Sequence, residues 1–309
     1  MNDKKIAVLI PCYNEELTVA KVIKDFKEQI PEAEIIVYDN NSKDKTADLA
    51  RQAGAKVIAE RNQGKGNVVR SMFRDIDADI YVLTDGDDTY PADEVYKLID
   101  GIRDGYDMVI GDRLSSTYYQ ENKRPFHNLG NTMVRWLINK IFDNDIKDVM
   151  TGYRAFNKKF VKTVPVMSPG FQIETELTIT ALEYRYNILS VPIQYRDRPQ
   201  GSSSKLNTFS DGFKVLLTLF DMAKDFRPLW FFGIFALVFL ISGFLITFSG
   251  LKGFSVFKNV SSSFSIVSGM FMFVFSFLFA SLGMILDHQA NIDKKNHELY
   301  VNEWVNRNR

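Results

Sequence analysis

Short, almost wholly apolar runs alternate along the first third of the chain with stretches whose apolar residues recur at helical spacing. The runs are residues 6–10, 35–37, 57–58, 80–83 and 108–110, and helical patterns fall at 17–29, 47–53, 67–75 and 92–103. A strand buried on both faces reads as a continuous apolar run, and strands separated by helices of this length form βαβ units. The pattern predicts a mostly parallel sheet with helices on both faces. Residues 113–205 are less regular, with helices expected at 131–142 and 173–186 and a strand at 188–195.

The pattern changes near the C-terminal end. Residues 229–251 and 259–286 carry no charge and place Phe231, Phe235, Phe239 and Phe244 on all sides of a helix. About 20 apolar residues span a bilayer core, and a helix of a soluble core would keep a polar stripe. Two transmembrane helices are expected, at 229–251 and 260–286. Before them, Phe209, Phe213, Leu216, Leu217 and Phe220 recur at helical spacing. This predicts an amphipathic helix over 206–228, lying in the membrane interface or packed on the globular domain. Lys224 and Arg227 precede the first span, and Lys294, Lys295, Arg307 and Arg309 follow the second. The positive-inside tendency then puts the α/β part and both termini in the cytoplasm, with a tail at 287–309 and a multi-pass protein of the cell membrane. The start, Met1-Asn2-Asp3-Lys4-Lys5, has no long apolar region and predicts no signal peptide.

Charge and composition narrow the function. The 38 basic and 38 acidic residues cancel, so no global field favours nucleic acid. The single cysteine, Cys12, excludes an internal disulfide framework and is expected to be a small buried residue. His127 alone of the three histidines lies in the soluble part, and no Gly-x-Ser-x-Gly elbow or Walker loop is present, so hydrolase and ATPase chemistry lack their residues.

Unusual polar residues sit instead where the apolar strands end, which is where open α/β sheets bind ligands. Asp85-Gly86-Asp87-Asp88 follows the strand at 80–83. Carboxylates so close repel unless a cation lies between them, and Mg²⁺ or Mn²⁺ uses one or two carboxylates together with diphosphate oxygens. An acidic turn before a helix begun by Pro91 has the same composition. Asn14 follows the first strand and is equally a helix N-cap. Asp39 ends the second strand, placed to accept hydrogen bonds from a nucleoside.

Together these strand ends resemble the GT-A glycosyltransferases of glycosyltransferase family 2. Val8-Leu9-Ile10-Pro11-Cys12-Tyr13-Asn14-Glu15, residues 37–46, Asn62-Gln63-Gly64-Lys65-Gly66 and Asp85-Gly86-Asp87 are similar to successive family motifs. Gly111-Asp112-Arg113, residues 148–154 and Glu174-Thr175-Glu176 continue the likeness, and Asn40-Asn41 stands where the family often has Asp-Gly. The resemblance covers residues 5–205 and implies a Rossmann-like GT-A domain at 1–205 that takes a nucleotide-sugar. It implies donor contacts from Pro11, Tyr13, Asn14, Glu15, Asp39, Lys65, Asp85, Gly86 and Asp87, with the metal on Asp85 and Asp87.

Joined to residues 195–205 and two C-terminal spans, the domain looks like the polyprenyl-phosphate glycosyltransferases related to dolichol-phosphate mannose synthase. That subgroup implies a lipid phosphate acceptor, with Arg196, Arg198 and Lys205 placed to meet its phosphate or to attract anionic lipid. A phosphate monoester is already largely ionised at neutral pH, so it needs no general base. The expected reaction is direct, inverting displacement from a UDP-linked donor. Asp85, Asp87 and Arg113 would serve the leaving group, and Asp148 and Glu174 would hold sugar hydroxyls or, as a lesser alternative, supply a base. A polysaccharide-extending transferase would bring a Gln-x-x-Arg-Trp motif and more spans, whereas a non-catalytic membrane subunit would not need Asp85 and Asp87. Small residues in the second span leave room for close helix approach and a possible homo-oligomer.

Overall fold

The computed structural model describes residues 4–115, 125–142, 144–199, 201, 208–257 and 260–308. The chain divides into two compact units, one of residues 1–218 with 300–309 and the other of residues 219–299.

The first unit is built on a seven-stranded sheet in the order β3-β2-β1-β4-β6-β5-β7. Its strands are β1 Ile6–Cys12, β2 Glu34–Asp39, β3 Lys56–Ala59, β4 Ile80–Leu83, β5 Met108–Asp112, β6 Arg154–Asn157 and β7 Ile188–Pro192. Pairing is parallel throughout except at β6, which runs antiparallel to both β4 and β5. Helices α1 Val19–Gln29, α2 Thr46–Gln52, α3 Lys65–Asp75 and α4 Val95–Arg103 connect the early strands, with a 3₁₀ turn at Ala92–Glu94 before α4. The apolar alternation explains this half directly. Ile6, Ala7, Val8, Leu9 and Ile10 are all buried, which only a central strand covered on both faces allows. Val19, Val22, Ile23 and Phe26 form the buried stripe of α1.

Helices α5 Pro125–Phe142, α6 Lys158–Thr163 and α7 Ile173–Glu183 belong to the less regular half. β6 and α6 have no clear counterpart in the sequence pattern. β6 is four residues long and begins with an arginine, so it carries no strand signal of its own. Its wholly buried Arg154 is satisfied locally. Nε donates to Thr151 O at 2.9 Å, one terminal nitrogen to Val149 O at 2.7 Å and the other to Thr178 Oγ1 at 2.9 Å. Burial pulls this guanidinium down to about 10, and the polar lining is what makes so costly a group tolerable inside a sheet.

Helices α8 Thr208–Phe226, α9 Pro228–Phe257 and α10 Val260–Arg307 complete the chain. In α8, Phe213, Leu217 and Phe220 are exposed while Val215, Leu219 and Ala223 are buried. Two helical stretches, Pro228–Lys252 and Ser263–Arg307, are long and apolar enough to contain a membrane crossing. Within the second unit, Phe232, Phe235 and Phe239 of α9 stack on Phe279 of α10. Ser276 Oγ donates to Ala236 O at 2.8 Å. A Cβ on Gly269 would stand 3.0 Å from the Thr247 backbone nitrogen, so glycine is what lets the two helices close there. Ser276 and Gly269 of α10 thus pack it against α9. Residues 287–307, expected as a tail, continue α10 without a break, because the apolar stretch passes into a helix-favouring charged one with no Gly or Pro between.

Candidate active site

The ends of β1, β2 and β4 converge on a cavity of about 440 Å³ lined by Pro11, Tyr13, Glu15, Lys65, Asp85, Asp87 and Arg198, among others. Two loops are first fixed to one another. The Asn14 amide donates to Ser42 Oγ at 2.9 Å, and Asn14 Oδ1 accepts from the Lys43 amide at 2.7 Å. Asn14 is therefore a cross-loop tie. The N-cap reading fails because α1 starts only at Val19, after Thr18. Asn14 and Asn41 both take left-handed backbone conformations, which asparagine tolerates better than most residues.

Asn40 organises the next loop. Its amide nitrogen donates to Glu60 O and Asn62 O at 3.0 and 2.8 Å, and its carbonyl accepts from the Gly64 amide at 2.7 Å and from the Gln63 side chain at 3.2 Å. An aspartate there would lack the two N–H donors, which gives a physical reason for the departure at Asn40-Asn41. Asp39 accepts from the Ser42 amide at 3.4 Å through Oδ2, while its buried Oδ1 has no hydrogen-bond partner. An orphaned buried acceptor is costly, and a nucleoside N–H or hydroxyl has the chemistry to satisfy it.

The Gly64-Lys65-Gly66 turn delivers a lysine into the cavity. A Cβ on Gly66 would stand 1.9 Å from Ser168 O, so only glycine permits this approach. Arg70 holds the facing segment by donating to Val166 O and Met167 O at 2.7 and 2.6 Å. Glu176 holds it from the other side, accepting from the Met167 and Ser168 amides at 2.7 and 2.6 Å. Lys65 Nζ then lies 2.5 Å from Asp85 Oδ1 and 2.6 Å from Glu174 Oε1. Burial alone would lower this ammonium's pKa, but the two carboxylates carry it above the ordinary lysine value.

Asp87 is buried, and Oδ1 accepts from Thr89 Oγ1 at 2.6 Å while Oδ2 pairs with Arg198. Burial first, and the charge of Asp85 second, push its carboxyl above the usual range; Arg198 works the other way. The donor set suits a hard cation: two acids, with the charge of Asp85 felt at Asp87, and room left for a ligand. The room is kept by Gly152, where a Cβ would stand 2.7 Å from Asp85 Oδ2 and 2.8 Å from Lys65 Nζ. Among the described residues, no group of three or more His, Cys, Asp or Glu is arranged to hold a metal by itself. The acid pair therefore suits an ion that brings phosphate oxygens with it.

Arg113 and Asp148 pair just outside the lining, near enough for the Arg113 charge to act on Glu174. Arg113 donates to both oxygens of Asp148, at 2.8 Å from Nε and 3.1 Å from a terminal nitrogen, and lies over the Tyr195 ring. Both residues are buried, and neither lines the cavity. Glu174 reaches the site through Lys65. Arg196 pairs with exposed Asp93 at 3.6 Å, also away from the lining. Lys205 lies outside the described residues. Cys12 is buried against Gly86, and burial together with the surrounding acids raises its thiol pKa well above the ordinary value.

The structure adds residues that the sequence pattern did not single out. Pro169, Gly170, Phe171 and Gln172 line the cavity, and the Ser168-Pro169-Gly170 turn signal just before α7 was the available clue. Tyr90 OH accepts from the Gly152 amide at 2.9 Å, fixing the glycine that faces Asp85.

A mostly parallel α/β sheet with one reversed strand, and acids at the end of β4 facing a cavity, defines a glycosyltransferase of the GT-A class. The chain belongs to glycosyltransferase family 2, whose model, Glycosyl transferase family 2, matches residues 7–164. It is 36% identical over 229 residues to glycosyltransferase AglJ of Haloferax volcanii, covering 74% of this chain and 75% of that one. It is 34% identical over 212 residues to the dolichyl-phosphate hexose transferase of the same organism, covering 68% and 90%. Among solved structures, glucosyl-3-phosphoglycerate synthase from Mycobacterium tuberculosis, in complex with Mn²⁺, UDP-glucose and phosphoglyceric acid, aligns with a TM-score of 0.58. That likeness is at 21% identity over 71% of this chain and 79% of that one, and it concerns the fold.

Proposed function

We propose that the chain transfers a sugar from a nucleotide-sugar, UDP-linked by preference, to a polyprenyl phosphate, with inversion at the anomeric carbon. The observation that carries this reading is the Asp85–Asp87 pair facing a cavity that also holds Lys65 and Arg198, in a chain with two helices apolar enough to cross a membrane. The relative named dolichyl-phosphate hexose transferase supports the acceptor class. The product is a polyprenyl-phosphate-linked monosaccharide for cell-envelope glycans.

Asp85 and Asp87 would hold Mg²⁺ or Mn²⁺, which when bound would supply positive charge to the departing diphosphate. Asp39, with Pro11 and Tyr13, receives the nucleoside. Lys65 and Arg198 supply cations to phosphate oxygens, and Glu15 and Glu174 orient them. The acceptor phosphate attacks already ionised, so positioning takes the place of a general base. Arg113 and Asp148 hold the loop that carries Gly152, and Lys205 with Arg196 gives the segment before α8 its affinity for phosphate. The exposed Phe213, Leu217 and Phe220 face of α8 suits the membrane interface, with the catalytic unit and both chain ends cytoplasmic.

Membranes containing the full chain, given polyprenyl phosphate and a panel of UDP- and GDP-sugars, are expected to yield one sugar-phosphate lipid identifiable by mass spectrometry. Sugar appearing only in a growing polysaccharide, with no lipid-linked monosaccharide, would overturn the acceptor assignment.

A further inference from the structure

Each acid of the pair at the end of β4 already holds a cation, and each cation is shared with a second acid. Lys65, with its side chain 8% exposed, bridges Asp85 and Glu174 at 2.5 and 2.6 Å. Arg198 bridges Asp87 and Glu15, the latter at 3.5 Å. The two bridges come from distant parts of the chain, the first residue of α3 and the segment after β7. Behind each cation stands a mostly buried anchor, with side-chain exposures of 12% for Glu174 and 8% for Glu15. A divalent ion reaching Asp87 meets Arg198 on Oδ2 and Thr89 on Oδ1; at Asp85, Lys65 holds Oδ1, and an ion on Oδ2 would still face the Lys65 ammonium beside it. Lys65 cannot be released to water without leaving a buried charge short of a partner, which is expensive. A diphosphate removes that obstacle, because its oxygens accept the ammonium and guanidinium while also completing the coordination of the ion.

We propose that Lys65 and Arg198 are resident counter-cations of the acid pair, exchanging carboxylate for phosphate partners so that a divalent ion is held only together with a diphosphate. The inference rests on the assignment of a metal to Asp85 and Asp87 made above. Glu15 and Glu174 are then positioning residues: they keep each cation at the site while its other partner changes. The exchange makes and breaks only ion pairs and hydrogen bonds, and the net charge brought in by the ion is balanced by the diphosphate.

The test is Mn²⁺ binding followed by electron paramagnetic resonance on the full chain in detergent, with and without UDP. Wild-type protein is expected to bind Mn²⁺ at least about tenfold more tightly when UDP is present, and Arg198→Met to tighten binding of Mn²⁺ alone by about tenfold while weakening binding of UDP. Lys65→Met is expected to move both quantities in the same directions, and if that buried substitution prevents folding, Arg198→Met decides alone. Equal Mn²⁺ affinity with and without UDP in the wild type, or no tightening in Arg198→Met, overturns the counter-cation inference but leaves the metal assignment standing. No Mn²⁺ binding under either condition overturns the metal assignment itself.

Discussion

The two halves of the sheet use the same charged residue types in opposite ways. At the ends of β1, β2 and β4, Asp85 and Asp87 border a cavity and share their cations with second acids. Past the reversed strand β6, Arg113 and Asp148 are closed on one another in a two-point contact, buried and outside the cavity lining. A carboxylate whose partner is one of several can exchange that partner when a ligand arrives. A carboxylate matched at both oxygens by one guanidinium is held by it, which fits the loop-holding role proposed for Arg113 and Asp148. Proximity to the site is thus a poor guide to role; what separates the halves is whether the charge is already fully matched.

The contrast is broken most severely at the closed pair. Arg113→Met leaves buried Asp148 without its two-point partner, held only by two backbone amides and the nearby Arg154 charge, and the expected loss is about 3 kcal/mol of stability, read as a fall in the chemical-denaturation midpoint of the purified full chain. If the midpoint stays in place, the pair is not the structural element described here. At the open pair the order of effects reverses. Asp85→Asn is expected to cut transfer by roughly 10²–10³-fold, measured as sugar entering the lipid product, with a smaller shift in the denaturation midpoint than Arg113→Met. Full turnover in that variant would remove Asp85 from the leaving-group machinery.

Asn40 lies between these extremes, since it touches the site only through the loop it ties. Asn40→Asp removes both N–H donors to Glu60 O and Asn62 O. The expected cost is about 1–3 kcal/mol of stability, accompanied by weaker donor binding in a calorimetric titration with UDP. A variant with unchanged stability and donor affinity would mean that the 60–64 loop is held by other contacts. Smallest is Arg196→Ala. Its ion pair with Asp93 is exposed on both sides, and its loss is expected to change stability by under about 1 kcal/mol. Any large fall in lipid-acceptor affinity in this variant would therefore report the phosphate contact proposed for Arg196, free of a folding effect.

Much of the donor half was legible because its signals are local. Each strand is a continuous apolar run and each ligand-facing acid follows immediately, so Asp39, Asp85 and Asp87 could be placed before any tertiary contact was known. The two long apolar helices were legible for the same reason, since length and lack of charge are properties of consecutive residues. β6 was not, because Arg-Ala-Phe-Asn becomes a strand only between β4 and β5 and around the carbonyls that satisfy Arg154. The segment at 166–172 was missed as part of the site because what brings it there is Arg70 of α3 and Glu176 of α7.

The amino-acid sequence by itself determined the βα order, the position of the acids at strand ends and the two apolar helices, all of which follow from periodicity and composition over a few turns or strand lengths. Tertiary structure decided which acid is paired with what. Lys65 meets Glu174 across 109 residues of chain and Arg198 meets Glu15 across 183. Whether a carboxylate is locked or exchangeable depends on such distant partners and on the desolvation they share, and no local pattern encodes either.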